Sequence, residues 1–258
     1  MISPRLIGKK LENFPLIRSL LKKVYFFISR LSFIFLKRHK SHPLHSINGG
    51  CGYYDISPWN ENGTFFAQNL IEGENLKINI LACNYKCLPN QKQIILSLST
   101  EAWNYQQYSL LHWQDKNSFI INTIDNRNLI SRKVTFFEEG KNASTFFDIP
   151  ISSFLKKNNL ILALNINKIN RIRPEYGFKF DSKYFTENPD VAIAAKKVDS
   201  EEETLKLIKF SNIFKFLKSK KQDFYNYKVN HITPSPNEKK ILFIFRFFKK
   251  NRKYSKLI

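Results

Sequence analysis

The sequence predicts an all-β chain over most of its length, with a short helical segment in front. Three observations carry this expectation. After residue 45, apolar residues recur with a period of about two, in short runs separated by Pro, Ser, Asn, Asp and Gly, which is strand patterning. The runs share one layout (a Pro or Ser, a polar turn, then a strand of large apolar residues), and that layout recurs four times. Before residue 45, apolar residues instead keep helical spacing and alternate with cations.

The leading segment, residues 1–45, is its own element. Residues 15–36 form its most apolar window, but Arg18, Lys22, Lys23 and Arg30 interrupt it. No charge-free run approaches the ~20 residues needed to cross a bilayer. No small-residue cleavage site follows, so it is not a standard secretory signal. Wound as a helix, it gathers Arg18, Lys22, Lys23, Arg30 and Lys37 on one face, with Arg38 just beyond, opposite Leu20, Val24, Phe27, Leu31 and Phe35. A basic amphipathic helix of this kind lies on an anionic membrane surface or docks on its own protein. The expected location is cytoplasmic, peripheral at the inner membrane.

Residues 46–258 hold the repeated unit. Its four copies are 57–66, 111–121, 150–162 and 233–244, at intervals of about 54, about 41 and about 84 residues, the last counted as two periods. Further strands are expected at 76–83, 133–137 and 191–198. Repeats of about 40–50 residues with several short strands each are the pattern of β-propeller blades. Such a blade is apolar on both faces and folds only against neighbours. The expectation is therefore a β-propeller-like domain of about four blades, the last incomplete, in an incomplete ring. Its end blades would expose broad apolar faces, and the near-continuous apolar run 241–248 would sit inside a blade with partners on both sides.

Composition narrows the classes. The 258 residues are 43% hydrophobic and 15% aromatic, with 24 Phe, which excludes global disorder. Net charge is +21, which favours polyanionic partners, yet no RRM core or helix-turn-helix is present and nucleic acid is not the expected ligand. Only eight glycines occur, and neither a P-loop nor a Gly-x-Ser-x-Gly elbow is found. Cys51, Cys83 and Cys87 are too few and too irregular for a disulfide framework, and Cys83 with Cys87 is at most half a zinc site. No cofactor and no resident metal are expected.

Four motifs in order resemble one family. They are Gly52 to Asn60, Glu101 to Trp113, Asn170 to Phe178 and Val229 to Pro236. Together they resemble an uncharacterised family of WD40-like, TolB-type β-propellers often encoded among genes for surface polysaccharide. The resemblance covers about residues 42–258, and the chain looks shortened at its carboxyl end relative to that family. It implies the propeller fold and a place in polysaccharide biosynthesis, and implies no particular activity.

The motif residues Tyr54, Asp55, Trp59, Trp103, Gln107, Arg171, Arg173, Tyr176 and His231 are the candidate ligand-binding set. Aromatic faces beside amides and guanidinium groups suit sugars, through stacking and directed hydrogen bonds. The same residues also serve packing: Asp55 and Asn104 as turn caps, Trp59 and Trp103 as core, Arg173 as the partner of a buried carboxylate. No catalytic residue is assigned. The expected role is a non-catalytic binding or scaffold module for a saccharide or an envelope-assembly protein, with self-association through an open blade face. The competing expectation is a carbohydrate-active enzyme, a metal-assisted lyase or hydrolase acting on acidic sugars, using His112, His231 and Gln107.

Overall fold

The computed structural model describes residues 56–82, 93–137, 141–218, 225–249 and 252–258, all within one compact unit spanning Ile47–Ile258. Strand accounts for 53% and helix for 12%, so the chain is all-β in class. The expected helix with Arg18, Lys22, Lys23, Arg30, Lys37 and Arg38 lies outside the described residues, as do Tyr54, Asp55 and the three cysteines.

Four antiparallel sheets follow one another along the chain, and none closes on itself. The first holds β1 (Phe65–Glu72), β2 (Asn75–Ala82) and β3 (Gln93–Thr100), with Trp59 bridged to Phe66 at its leading edge. The second holds β4 (His112–Trp113), β5 (Ser118–Asp125), β6 (Asn128–Phe136) and β7 (Asn142–Phe147). In the third are β8 (Ser153–Leu155), β9 (Leu160–Leu164), β10 (Val191–Lys197) and β11 (Leu205–Lys209). The fourth holds β12 (Tyr225–Pro234), β13 (Ile241–Lys249) and β14 (Arg252–Leu257). Every sheet is a meander in chain order. Turn chemistry enforces it: Gly73 (φ +63°) opens the two-residue β1–β2 turn, and Asn126 and Arg127 (φ +49° and +62°) form the β5–β6 turn.

The four repeated units are the first hairpins of the four sheets. Each pairs a short leading segment with the next strand, as in Trp59 with Phe66, Trp113 with Phe119, Leu155 with Leu160, and Pro234 with Ile241. The turns between them are closed by short polar side chains. Asn60 Oδ1 accepts from the Thr64 and Phe65 amides, and Asp115 Oδ1 from those of Asn117 and Ser118. These turns also touch one another. Asn60 Nδ2 donates to the Lys116 carbonyl at 3.0 Å, Gln114 Nε2 to Asn159 Oδ1 at 2.8 Å, and the Lys157 amide to Glu238 at 2.9 Å.

The interval of about 84 residues is not two periods. It holds one sheet, β8–β11, lengthened by insertions. Between β9 and β10 run α1 (Ile166–Ile172), a 3₁₀ turn (Pro174–Tyr176) and α2 (Lys183–Glu187), and after β11 comes α3 (Phe210–Phe216). Asn165 caps α1 by accepting from the Lys168 amide. Pro174 starts the 3₁₀ turn, where its fixed φ and missing N–H cost nothing. In α3, Phe210 and Phe214 lie edge-on to Tyr227, each at 5.0 Å.

In each sheet the trailing strand is the most exposed. β8 is buried throughout, β9 and β10 bury Ile161–Leu164 and Val191–Ala195, and β11 is mostly exposed. Similarly β5 buries five residues in a row while β7 exposes five of six. The β4–β7 sheet is covered on both sides. Phe119, Ile121, Val134 and Phe136 join Leu76, Ile78 and Ile80 in one core, while Ile120 and Leu129 join the second core with β9 and β10. As expected, β13 has partners on both sides, β12 and β14. The face of β1–β3 opposite Leu76, Ile78 and Ile80 is mixed. It carries a hydrogen-bonded polar row, Gln68 to Asn79 to Ser97, among the apolar side chains of Phe66, Leu70 and Leu81.

Asn122, fully buried on β5, joins three segments. Its amide exchanges two hydrogen bonds with the Ile151 backbone (2.9 and 2.8 Å), its N–H donates to the Ser109 carbonyl, and its carbonyl accepts from Thr100 Oγ1. Replacing Asn122 by Ala orphans the Ile151 N–H and C=O together, at a cost of about 2–4 kcal/mol. Urea unfolding should show this loss, while Lys197→Ala, on the exposed end of β10, should stay within about 0.5 kcal/mol of the parent.

Candidate functional site

The leading strands converge on a cavity of about 320 Å³. β4 contributes His112, β8 contributes Ser153 and Phe154, and β12 contributes Asn230 to Pro234; Ile56, just before Trp59, completes the series. Ile166, Ile169, Tyr176 and Phe178 close the wall from α1 and the turn behind it, and Gln107 and Leu110 come from the loop after β3. No Asp, Glu, Lys or Arg is among the described lining residues. The described lining is thus apolar and aromatic, set with hydrogen-bonding groups.

Each of those groups has a local cause. Gln107 is held by an Asx turn, in which Asn104 Oδ1 accepts from the Gln106 and Gln107 amides at 3.0 and 2.8 Å. His231 sits in a β-bulge: its φ is +52°, and the β12–β13 register shifts between Asn230 and Thr233. Its N–H donates to Asn230 Oδ1 at 2.8 Å, which supports this left-handed backbone. Tyr176 carries the Arg173 guanidinium 5.1 Å above its ring, and Arg173 is paired with Glu175. Gly177 packs so closely on Asn170 that a Cβ there would collide with the Asn170 side chain. That close approach lets Asn170 Oδ1 accept from the Phe178 amide at 2.9 Å, fixing Tyr176 and Phe178 at the wall.

Two enclosed polar atoms in this lining have no partner, His112 Nε2 and Asn230 Nδ2. Burial pushes the His112 imidazole down to about 4, so it is neutral near pH 7. A neutral imidazole and a primary amide offer donor and acceptor capacity with no fixed charge. Orphaned groups facing a cavity are met by a ligand or by ordered water.

Of the predicted set, Gln107, Tyr176 and His231 meet at the cavity. Trp59 packs edge-on to Phe66 at 4.9 Å, and Trp103 donates from Nε1 to the Glu74 carbonyl at 2.8 Å, which is structural work in both cases. Arg171 is exposed on α1, and Arg173 pairs with an exposed rather than a buried carboxylate, Glu175. His112, His231 and Gln107, singled out together from sequence, do line one cavity. Among the described residues no group of three or more His, Cys, Asp or Glu is placed to hold a metal. Ser153, Phe154 and Thr233 were seen only as turn and strand residues. Their position at the leading edge of each repeat was the available signal.

His112 yields a pH prediction. Its folded pKa, about 4, lies below its ordinary value of 6.5, so the unfolded chain binds the proton first. Stability is full above about pH 6.5 and falls as pH drops toward 4, by on the order of 3 kcal/mol. Urea titrations at pH 7 and pH 4.5 should show a steeper acid loss in the parent than in His112→Gln; equal slopes would remove the imidazole as the cause.

Among the described residues no helix is long and apolar enough to cross a membrane. No protein-family model, curated protein or solved structure matches the chain.

Proposed function

We propose that the four sheets are successive blades of a propeller-type domain, and that the chain is a non-catalytic binding module holding a saccharide in the cavity among the leading strands. The blade reading is supported by the shared hairpin layout, the contacts between neighbouring turns and the exposure of the trailing strands. The ligand reading rests on one observation, the lining itself. It offers aromatic surface from Tyr176 and Phe154, and hydrogen-bonding groups from Gln107, His112, Asn230 and His231, with no Asp, Glu, Lys or Arg among the described lining residues. Polyhydroxylated ligands with apolar ring faces match that chemistry. The proposed setting, envelope polysaccharide assembly at a cytoplasmic membrane surface, comes from the motif resemblance.

Calorimetry with a panel of neutral and acidic oligosaccharides tests the reading. Tyr176→Ala and His231→Gly should each weaken binding at least tenfold, the equivalent of about 1.4 kcal/mol. His231→Gly should meanwhile keep or slightly raise stability, because glycine takes the left-handed backbone without a Cβ penalty. Tight binding untouched by either change would move the ligand elsewhere, and turnover of any oligosaccharide would replace a binding module with an enzyme.

A further inference from the structure

One face of the fourth sheet, opposite the one that carries Tyr227 and Val229, holds an unusual set of side chains. Lys228 on β12 and Arg246 on β13 stand directly opposite each other in register, and Asn230 follows on the same face. Lys228 is 2% exposed and Asn230 5%. Lys228 Nζ, Arg246 Nε and Asn230 Nδ2 are all enclosed, and none has a hydrogen-bond partner. Like charges directly opposite on a sheet repel, and a buried cation without an acceptor is costly. Nor is the missing group ambiguous in sign. Lysine and arginine only donate, and Asn230 Oδ1 already accepts from the His231 amide.

The surroundings sharpen the demand. Arg173 and Lys253 add further positive charge near Lys228, and Glu175, the carboxylate close by among the described residues, is engaged by Arg173. Burial first, then repulsion from Arg173 and Arg246, lowers the Lys228 ammonium to about 8, which leaves it charged at neutral pH. What is lacking is a compact acceptor with negative charge.

The geometry points to an oxyanion site over β12 and β13, in which a phosphate or carboxylate group accepts from Lys228 Nζ, Arg246 Nε and Asn230 Nδ2. Asn230 also lines the cavity but Lys228 and Arg246 do not, so variants at those two read this site separately from the saccharide reading.

Thermal unfolding at constant ionic strength, with inorganic phosphate, glucuronate and glucose as probes, tests it. Phosphate or glucuronate should raise Tm saturably, by roughly 5–10 °C at a hundredfold excess over Kd, and glucose should not. A response to phosphate alone identifies phosphate chemistry, and a response to glucuronate alone a sugar acid. Lys228→Met should raise Tm without any anion, by removing an unpaired buried charge, and abolish the anion response; Arg246→Gln should weaken that response at least tenfold. On the parent protein, acetylation of Lys228 followed by mass spectrometry should slow when the active anion is present. No saturable shift with either anion, or shifts and acetylation rates indifferent to anion and variant, would overturn the site.

Discussion

Sheet β4–β7 carries large apolar side chains on both faces, and this constraint shapes the rest of the chain. Phe119 and Ile121 point one way along β5, Ile120 the other, and all three are buried. A sheet of this kind has no solvent-compatible face, so it is stable only between two neighbours. β1–β3 supply one cover through Leu76, Ile78 and Ile80, and β8–β11 the other through β9 and β10. The third sheet has the same property, and β12 and β13 cover it with Val229, Phe243 and Phe245. Fully burying one such side chain is worth roughly 1.5–3 kcal/mol, so these shared cores outweigh any single polar contact.

Apolar covering alone does not set which strand meets which. That task falls to buried amides. Asn122 couples the end of β3, the loop before β4 and the segment entering β8, and Ser131 adds a bond to the Ile149 carbonyl at 2.7 Å. Asn60 ties the first turn to the second, Asn165 ties the α1 cap to the Val191 carbonyl, and Asn167 brackets Ser182 ahead of α2. Each is nearly closed off from solvent and pairs both its donor and its acceptor. A buried amide left half-paired is expensive, so these brackets penalise every alternative arrangement of the loops.

The local layers were legible in the sequence; the arrangement between them was much less so. Period-two apolar runs and the recurring turn residues located the first hairpin of each sheet, because strand pairing and turn chemistry are local. Spacing misled where insertions intervened. The helical stretch from Ile166 to Glu187 lengthens one sheet's span to nearly two periods, and counting residues cannot tell an insertion from a repeat. At the site, Gln107, Tyr176 and His231 were found because their motifs pair aromatic or imidazole groups with turn residues. Trp59 and Trp103 carry the same surface chemistry but spend it on packing, a distinction set by long-range partners such as the Glu74 carbonyl. Several buried Asn amides are the brackets that order the loops, a role that composition does not reveal.

The excess of positive charge divides by the exposure of the strands. Trailing strands β11 and β14 hold Lys206, Lys209, Lys253 and Lys256 in or near solvent, where each cation is hydrated and screened and costs little. Charged residues on exposed edge strands also discourage pairing with another chain. Lys228 breaks the pattern, since it lies on a leading strand at 2% exposure, opposite a second cation. Alternation of side chains along β12 sends Tyr227 and Val229 into the core shared with β9 and β10, and therefore sends Lys228 and Asn230 to the other face. The strand cannot slip by one residue to release the lysine, because Tyr227 and Val229 would then leave that core. The buried cation is thus held by the same packing that joins the third sheet to the fourth, and the unmet charge on that face is a fixed property of the fold.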